Sequence, residues 1–253
     1  MSLDRLEKHR RIWEARPELR AVYQVWFDLL LDTVPPDARV LEVGSGPGFL
    51  AAAARARRPD LRWTSSDLLA APWNDIVADA GRLPLATGSV EAVVGIDVLH
   101  HLPTPGRFFR ETARVLGGVG RLSLVEPWIS PLGWTVYRFF HQEECRLRVD
   151  PWDPFPGPDK DSFDGNAAVP WRLVHRTPAW EWRHLGFEPP GRSRLNAFAY
   201  LMSLGFRERS LLPAGLVRPL VALDRWTRPA AALTALRALL VWESVGTAGS
   251  PTA

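Results

Sequence analysis

The run Glu42-Val43-Gly44-Ser45-Gly46-Pro47-Gly48 sets a carboxylate ahead of three glycines at every second position. Glycines so placed free the backbone for conformations closed to residues with a Cβ, and let a ligand lie against the main chain. Val40 to Val43 reads as a short buried strand. The Ala/Arg-rich stretch from about Phe49 to Arg58 reads as a helix whose free N–H groups point into the turn. Strand, glycine turn and helix in this order make a nucleotide-binding crevice at the carboxyl edge of a parallel sheet. The spacing argues against a dinucleotide. The pyrophosphate fingerprint G-x-G-x-x-G needs a third glycine at 49 or 51, where Phe49 and Ala51 stand. Glu42 would repel a pyrophosphate, but it can attract a cationic amino-acid group.

More polar groups follow at strand ends. Asp67 comes after a strand over Leu61–Ser65, where its carboxylate can accept from both ribose hydroxyls or cap a turn. Asp79 ends a short third strand, Ile76–Ala78, again as a ligand group or a turn cap. A fourth buried strand within Ser89–Val98 runs into His100 and His101. An imidazole with a pKa of about 6.5 can take a hydroxyl proton at neutral pH. Adjacent residues leaving a strand diverge, so at most one of the pair serves as a base, and the other shapes the loop. Asp97 reads as support for the site.

Taken in order, these segments resemble the class I S-adenosylmethionine (SAM)-dependent methyltransferases. Residues 38–127 are similar to their type 11, small-molecule branch, which includes quinone-biosynthesis enzymes. The resemblance implies an α/β fold: a doubly wound, mostly parallel Rossmann-like sheet with helices on both faces. It implies SAM as cofactor, contacted by Glu42, Gly44, Ser45, Gly46 and Gly48, by Asp67 and Leu68, by Asp79 and Ala80, and by Asp97 and Val98. It implies methyl transfer with His100 or His101 as the catalytic candidate and without a metal. One departure stands out. The stretch between Asp67 and Asp79 contains Pro72 and is too short for a full crossover helix. A loop or short helix is expected there, with Trp73 filling the missing volume.

The remaining elements have to position this site. The 253 residues suit one α/β domain with elaborations. A helical segment over residues 5–31, split at Pro17, covers the cofactor or packs on the sheet. A helix from Gly106 ends at Gly117-Gly118, and Arg121–Pro127 is a fifth strand. Residues 128–170 form a helical, aromatic cap over the carboxyl edge, with a helix over Pro131–Cys145. Trp134 and Trp152 are expected against the pocket or the N-terminal helices. Phe187–Leu195 is a candidate sixth strand and Asn196–Leu201 a candidate seventh, followed by an apolar helical tail over 211–243. In the cluster His141-Gln142-Glu143-Glu144-Cys145 three readings stay open: a solvated helix end, a substrate-pocket role, or a metal site without zinc-type spacing. His175 and His184 read as structural.

Composition narrows the function further. Net charge is +3 with dispersed arginines, so nucleic acid is not expected as a partner. Cys145 is the only cysteine, and Ser2–Arg20 is charged throughout, which together point to a reducing, cytoplasmic setting. No spanning segment is expected, although Arg218, Arg225, Arg228 and Arg237 among apolar residues allow peripheral membrane contact. The chain is expected to be a monomer or homodimer. Most of its twelve tryptophans follow residue 125, which suits a small, apolar or aromatic substrate. Oxygen is the expected acceptor, because the Asn/Asp-Pro-Pro-Tyr/Phe signature for amino groups is absent. The alternatives are a SAM-binding cyclase or isomerase and a non-catalytic SAM-binding partner protein.

Overall fold

The structure is a computed structural model, and it describes residues 3–141, 143–155 and 164–246. A seven-stranded sheet in the order β3-β2-β1-β4-β5-β7-β6 forms its centre. The strands are β1 (Arg39–Val43), β2 (Arg62–Asp67), β3 (Ile76–Val77), β4 (Ala92–Ile96), β5 (Arg121–Pro127), β6 (Gly191–Leu195) and β7 (Arg237–Glu243). The first five run parallel, and β7 lies antiparallel between β5 and β6. This is the doubly wound, mostly parallel fold that the sequence implies.

Both sheet faces are covered, and successive strand residues point to opposite layers. Leu41, Val43, Val93, Leu122 and Leu124 join one apolar cluster. Helices α4 (Pro105–Leu116), α6 (Val169–Arg176) and α7 (Ala179–His184) close it through Phe108, Phe109, Leu173 and Trp182. Val40, Val94 and Val125 join the other cluster, under α2 (Pro17–Leu31), α8 (Phe198–Ser203) and α9 (Val217–Trp226). Ahead of α2, α1 (Leu3–Ala15) breaks where Pro17 sets the first turn of the next helix. Helix α3 (Phe49–Arg57) follows the glycine turn, α5 (Pro131–Phe139) follows β5, and α10 (Ala231–Thr234) precedes β7. Between β2 and β3 the crossover is a loop, residues 68–75.

Three expectations need correction. Asn196–Leu201 is not the seventh strand; most of it lies in α8. The seventh strand is Arg237–Glu243, inside the stretch read as a helical tail. Its inner residues, 238–242, are apolar without strict alternation because both faces are covered, so periodicity could not separate strand from helix there. The helix after Pro131 stops at Phe139, short of the His141–Cys145 cluster. Trp152 does not reach the N-terminal helices. Its ring packs 5.9 Å from Phe109 and 5.7 Å from Trp182, on the α4 side of the sheet.

Trp242 has no exposed surface and meets Phe109 at 5.3 Å and Trp182 at 5.7 Å. Trp242→Ala should lower stability by about 3–5 kcal/mol, the range for a fully buried large aromatic. Urea unfolding measures it. A loss below about 1 kcal/mol would mean that β7 is not a core strand.

Candidate functional site

The glycine turn leaves β1 with φ of 61° at Gly44, 50° at Gly46 and 79° at Gly48. All three lie in the left-handed region that favours glycine. Two are also closed to side chains. A Cβ at Gly44 would stand 2.7 Å from Val98 Cγ2, and one at Gly48 would stand 2.8 Å from Trp73 Cδ1. Gly46 differs. A Cβ there would meet only Gly44 O, at 4.0 Å, so this is where a ligand can lie against the main chain.

Asp67 ends β2 and turns its buried carboxylate onto the same turn. Oδ2 accepts from Gly46 N–H at 2.8 Å and Oδ1 from Leu69 N–H at 2.9 Å. Each oxygen keeps a lone pair for a ligand hydroxyl. The 68–75 loop closes in from the side. Trp73 Nε1 donates to Gly46 O at 2.7 Å, and the Ser45 hydroxyl donates to Asn74 Oδ1 at 2.8 Å. From α1, Arg10 lies over the Trp73 ring, 4.5 Å from its centroid, and donates to Pro47 O at 2.7 Å. Leu68 is exposed beside this loop. Asp79 stands exposed beyond β3, where Oδ1 accepts from Gly81 N–H at 2.8 Å, and Ala80 packs partly against the core.

Glu42, near the end of β1, is engaged across the sheet. It is buried, and its Oε2 accepts from Trp63 Nε1 at 2.9 Å. Burial pushes its pKa up to about 8, against the pull of the Trp63 hydrogen bond. One oxygen of this carboxyl is thus already engaged inside the sheet. Asp97, after β4, is also engaged. Its φ is 58°, and its carboxylate pairs with Arg237 on β7, with Arg237 Nη2 donating to Oδ2 at 3.1 Å. The guanidinium is buried and lies 4.7 Å from the Trp26 ring and 5.0 Å from the Tyr200 ring. Arg237 therefore belongs to the sheet and not to a membrane-facing tail.

The two histidines diverge in environment. His100 is 1% exposed. Its Nδ1 lies 2.6 Å from Glu126 Oε2, and its Nε2 lies 3.1 Å from Glu143 Oε2. Burial alone would lower its pKa, but Glu143 and Glu126 together lift it to about 10. His101 is partly open, and its Nε2 lies 3.7 Å from Glu143 Oε1. Burial, helped by the neighbouring His100, lowers its pKa to about 4. His101 is thus the neutral ring with a reachable edge, and His100 is a strut.

Three residues organise this corner: Glu126, which sequence reasoning passed over, Glu143, which it read only as part of the 141–145 cluster, and Arg237, which it read only as a peripheral membrane contact. Glu126 has no exposed surface; its Oε1 also accepts from Val98 N–H at 2.8 Å and Leu99 N–H at 2.7 Å. Glu143 comes from the segment after α5 and Arg237 from β7. A charge inside an apolar strand could have flagged Glu126 and Arg237. Only the polar cluster at 141–145 hinted at Glu143, whose position depends on the path of the chain. That path is set by Asn166, whose backbone N–H donates to His100 O at 2.9 Å and whose Oδ1 accepts from Arg146 N–H at 2.9 Å.

Beside this corner opens a crevice of about 1810 Å³. Glu143 and Gly165 line it near the histidines, Tyr137 and Phe140 come from the α5 side, and Tyr200 and Phe206 lie across from them. His9 of α1 stacks on Phe206 at 4.5 Å. Trp134 and Trp152 are not among its walls. No helix among the described residues is long and apolar enough to cross a membrane.

Residues 41–124 match the family model of a methyltransferase domain. An uncharacterized methyltransferase from Mycobacterium sp. (strain JLS) is 37% identical over 112 residues, 40% of this chain. The match takes in 44% of that relative's own length. Among solved structures, geranyl diphosphate C-methyltransferase from Streptomyces coelicolor A3(2), in complex with Mg2+, geranyl diphosphate and S-adenosyl-L-homocysteine, aligns with a TM-score of 0.52. It is 16% identical, and the alignment covers 88% of this chain and 81% of that one. The [4+2]-cyclase SpnF aligns at 0.51 and 16% identity, over 87% of this chain and 80% of its own. At such identities the likeness is one of fold.

Breaking a buried ion pair by removing one partner costs about 3–5 kcal/mol. Asp97 keeps 28% of its side-chain surface exposed, so Arg237→Met should fall near the lower end, about 3 kcal/mol. Urea unfolding of the variant reads it. An unchanged midpoint would remove the pair from the account of how the loop after β4 is held.

Proposed function

We propose that the chain is a SAM-dependent methyltransferase acting on an oxygen of a small, apolar or aromatic molecule. The observation that carries this reading is the open backbone at Gly46 with the Asp67 carboxylate across it, inside the stretch that matches a methyltransferase domain. The residues fit SAM. Asp67 has lone pairs to receive ribose hydroxyls, Gly46 leaves room for a ligand against the turn, and Asp79 lies exposed beyond β3 to meet the adenine amino group.

When bound, SAM supplies a sulfonium methyl: the acceptor's lone pair forms the new bond to carbon while the C–S bond breaks onto sulfur, leaving S-adenosylhomocysteine. The chain's own part is to hold and orient. The crevice walls, Tyr137 and Phe140 facing Tyr200 and Phe206, suit an apolar or aromatic body. Among its polar lining residues is Glu143, 3.7 Å from His101 Nε2, where an acceptor hydroxyl would lie and its proton would be given up. His100 stays out of contact, fixing that corner between Glu126 and Glu143. Alignment near the methyl carbon, at about 3–3.5 Å, supplies much of the acceleration.

Calorimetry should show binding of SAM and none of NAD. Asp67→Ala should weaken SAM by about 1.5–3 kcal/mol, roughly 10- to 150-fold. An unaltered affinity would place the ribose elsewhere, and NAD binding without SAM would end the reading.

Labelled SAM offered with a panel of phenols, quinones and polyketides should give S-adenosylhomocysteine and a methylated product. Turnover without S-adenosylhomocysteine would mean that the bound sulfonium serves only as a fixed charge. With an accepted substrate, His101→Ala should cut the rate about 10²- to 10⁴-fold at near-normal SAM affinity. Near-normal turnover would reduce His101 to a loop residue.

A further inference from the structure

His100 and His101 share an arrangement that a general base does not require. In each ring one nitrogen is anchored and the other is aimed at the same point. His100 Nδ1 is held by Glu126 Oε2 at 2.6 Å, and His101 Nδ1 by the Asp164 carbonyl at 3.2 Å. A carbonyl only accepts, so His101 carries its hydrogen on Nδ1 and turns the Nε2 lone pair inward. Both Nε2 atoms face Glu143, at 3.1 Å from Oε2 and 3.7 Å from Oε1. Glu143 Oε2 is buried, with His100 Nε2 as its ion-pair partner at 3.1 Å.

The His101 lone pair and the Glu143 carboxylate both face inward and suit a cation, and a metal at this point would displace the Nε2 proton that His100 otherwise carries. A proton on His100 Nε2 would answer part of this, but it leaves His101 with no hydrogen to offer Oε1. A metal ion would answer all of it. Bonds of about 2.0–2.2 Å to nitrogen and oxygen put neighbouring ligand atoms about 2.9–3.5 Å apart in tetrahedral or octahedral shells. The observed 3.1 Å falls within that range and 3.7 Å lies just beyond it, and the three ligand atoms lie within 4.8 Å of one another. The carboxylate behind His100 is the support that metal-binding imidazoles usually have. Gly165 closes the cage from one side: a Cβ there would stand 2.9 Å from His101 Cε1, 3.0 Å from His100 Cδ2 and 3.1 Å from Glu143 Cδ.

We propose that His100 Nε2, His101 Nε2 and the Glu143 carboxylate bind one divalent transition-metal ion. Two imidazoles and one carboxylate suit Zn2+, Fe2+ or Mn2+ better than Mg2+ or Ca2+, which favour all-oxygen shells. Two of the ligand residues keep open surface, 20% at His101 and 26% at Glu143, and Glu143 lines the crevice. The remaining coordination positions would therefore face the crevice and take a substrate oxygen. This last point rests on the methyltransferase reading above; with the His101 lone pair taken, the ion and not the ring would activate the acceptor, which makes hydroxyl, phenol or enol compounds the substrate class, because a bound cation lowers the pKa of such a group.

The test uses the full chain freed of metal by chelation. Zn2+ is titrated by calorimetry and Co2+ by visible absorption, with SAM titrated into the same samples. One ion should bind per chain, and Co2+ should develop d–d bands. Glu126→Gln should weaken binding about 10- to 100-fold, and Glu143→Gln and His101→Ala by more than about 100-fold. Glu144→Gln should leave it unchanged, since that carboxylate pairs with Arg146 at 2.6 Å. Protein that binds SAM but neither metal overturns the metal site and leaves the methyltransferase reading standing. Metal binding that is equal in the wild type, Glu143→Gln and His101→Ala also overturns the site. Metal bound at the expected ligands by a chain that ignores SAM supports the site and counts against the methyltransferase reading.

Discussion

A carboxylate cut off from water must be met by donors, and in this chain Glu126 imposes that demand on everything around it. Its two oxygens take the backbone N–H groups of Val98 and Leu99 and the ring of His100. Leaving a buried donor or acceptor unpaired costs about 1–3 kcal/mol, and more for a charge. The turn after β4 therefore has little freedom. Val98 is fixed beneath Gly44, so the shape of the glycine turn depends on the same carboxylate. Through His100 it also reaches Glu143, and so fixes the segment that borders the crevice.

What the sequence made legible follows from how local each signal is. The turn at Gly44–Gly48, the break at Pro17 and the helix stop at Gly117 depend on backbone chemistry within a few residues, and the structure has all three. The missing crossover between Asp67 and Asp79 was a matter of chain length. Strand β7 was misread because residues buried on both sides carry no periodicity. The bond that Glu42 makes was not legible, because an acidic residue at a strand end says nothing about its neighbour across the sheet, here Trp63. The corner of His101, Glu143 and Asp164 was beyond reach, since it depends on where the chain returns after α5. Only the polar cluster at residues 141–145 hinted at it, and that was equally consistent with a solvated helix end.

The sheet and the crevice divide the work. Elements on the β1, β2 and β3 side present backbone and a carboxylate, groups suited to a cofactor whose identity need not vary. The crevice is built from α1, α5, the segments around residues 143–146 and 164–165, and α8 with the chain after it. Those parts lie mostly outside residues 41–124, the stretch that matches the family model. Folds of this type host unrelated reactions, so chemistry is decided by side chains added at the rim and not by the sheet. Here those side chains are imidazoles and a carboxylate, which can manage a proton or a cation.

The antiparallel strand β7 carries a consequence for how the protein is made. It is the last strand among the described residues, yet it sits inside the sheet, paired with β5 on one side and β6 on the other. Domains emerge from the ribosome N-terminal end first, at about 5–20 residues per second. During that interval β5 has an open edge, and Asp97 waits for Arg237. Unpaired strand edges recruit other chains. Each nascent molecule thus passes through a stage in which the glycine turn has been synthesised while the centre of the sheet is still open. A chaperone that shields the β5 edge would act in that window, and crowded or rapid expression would draw its losses from it.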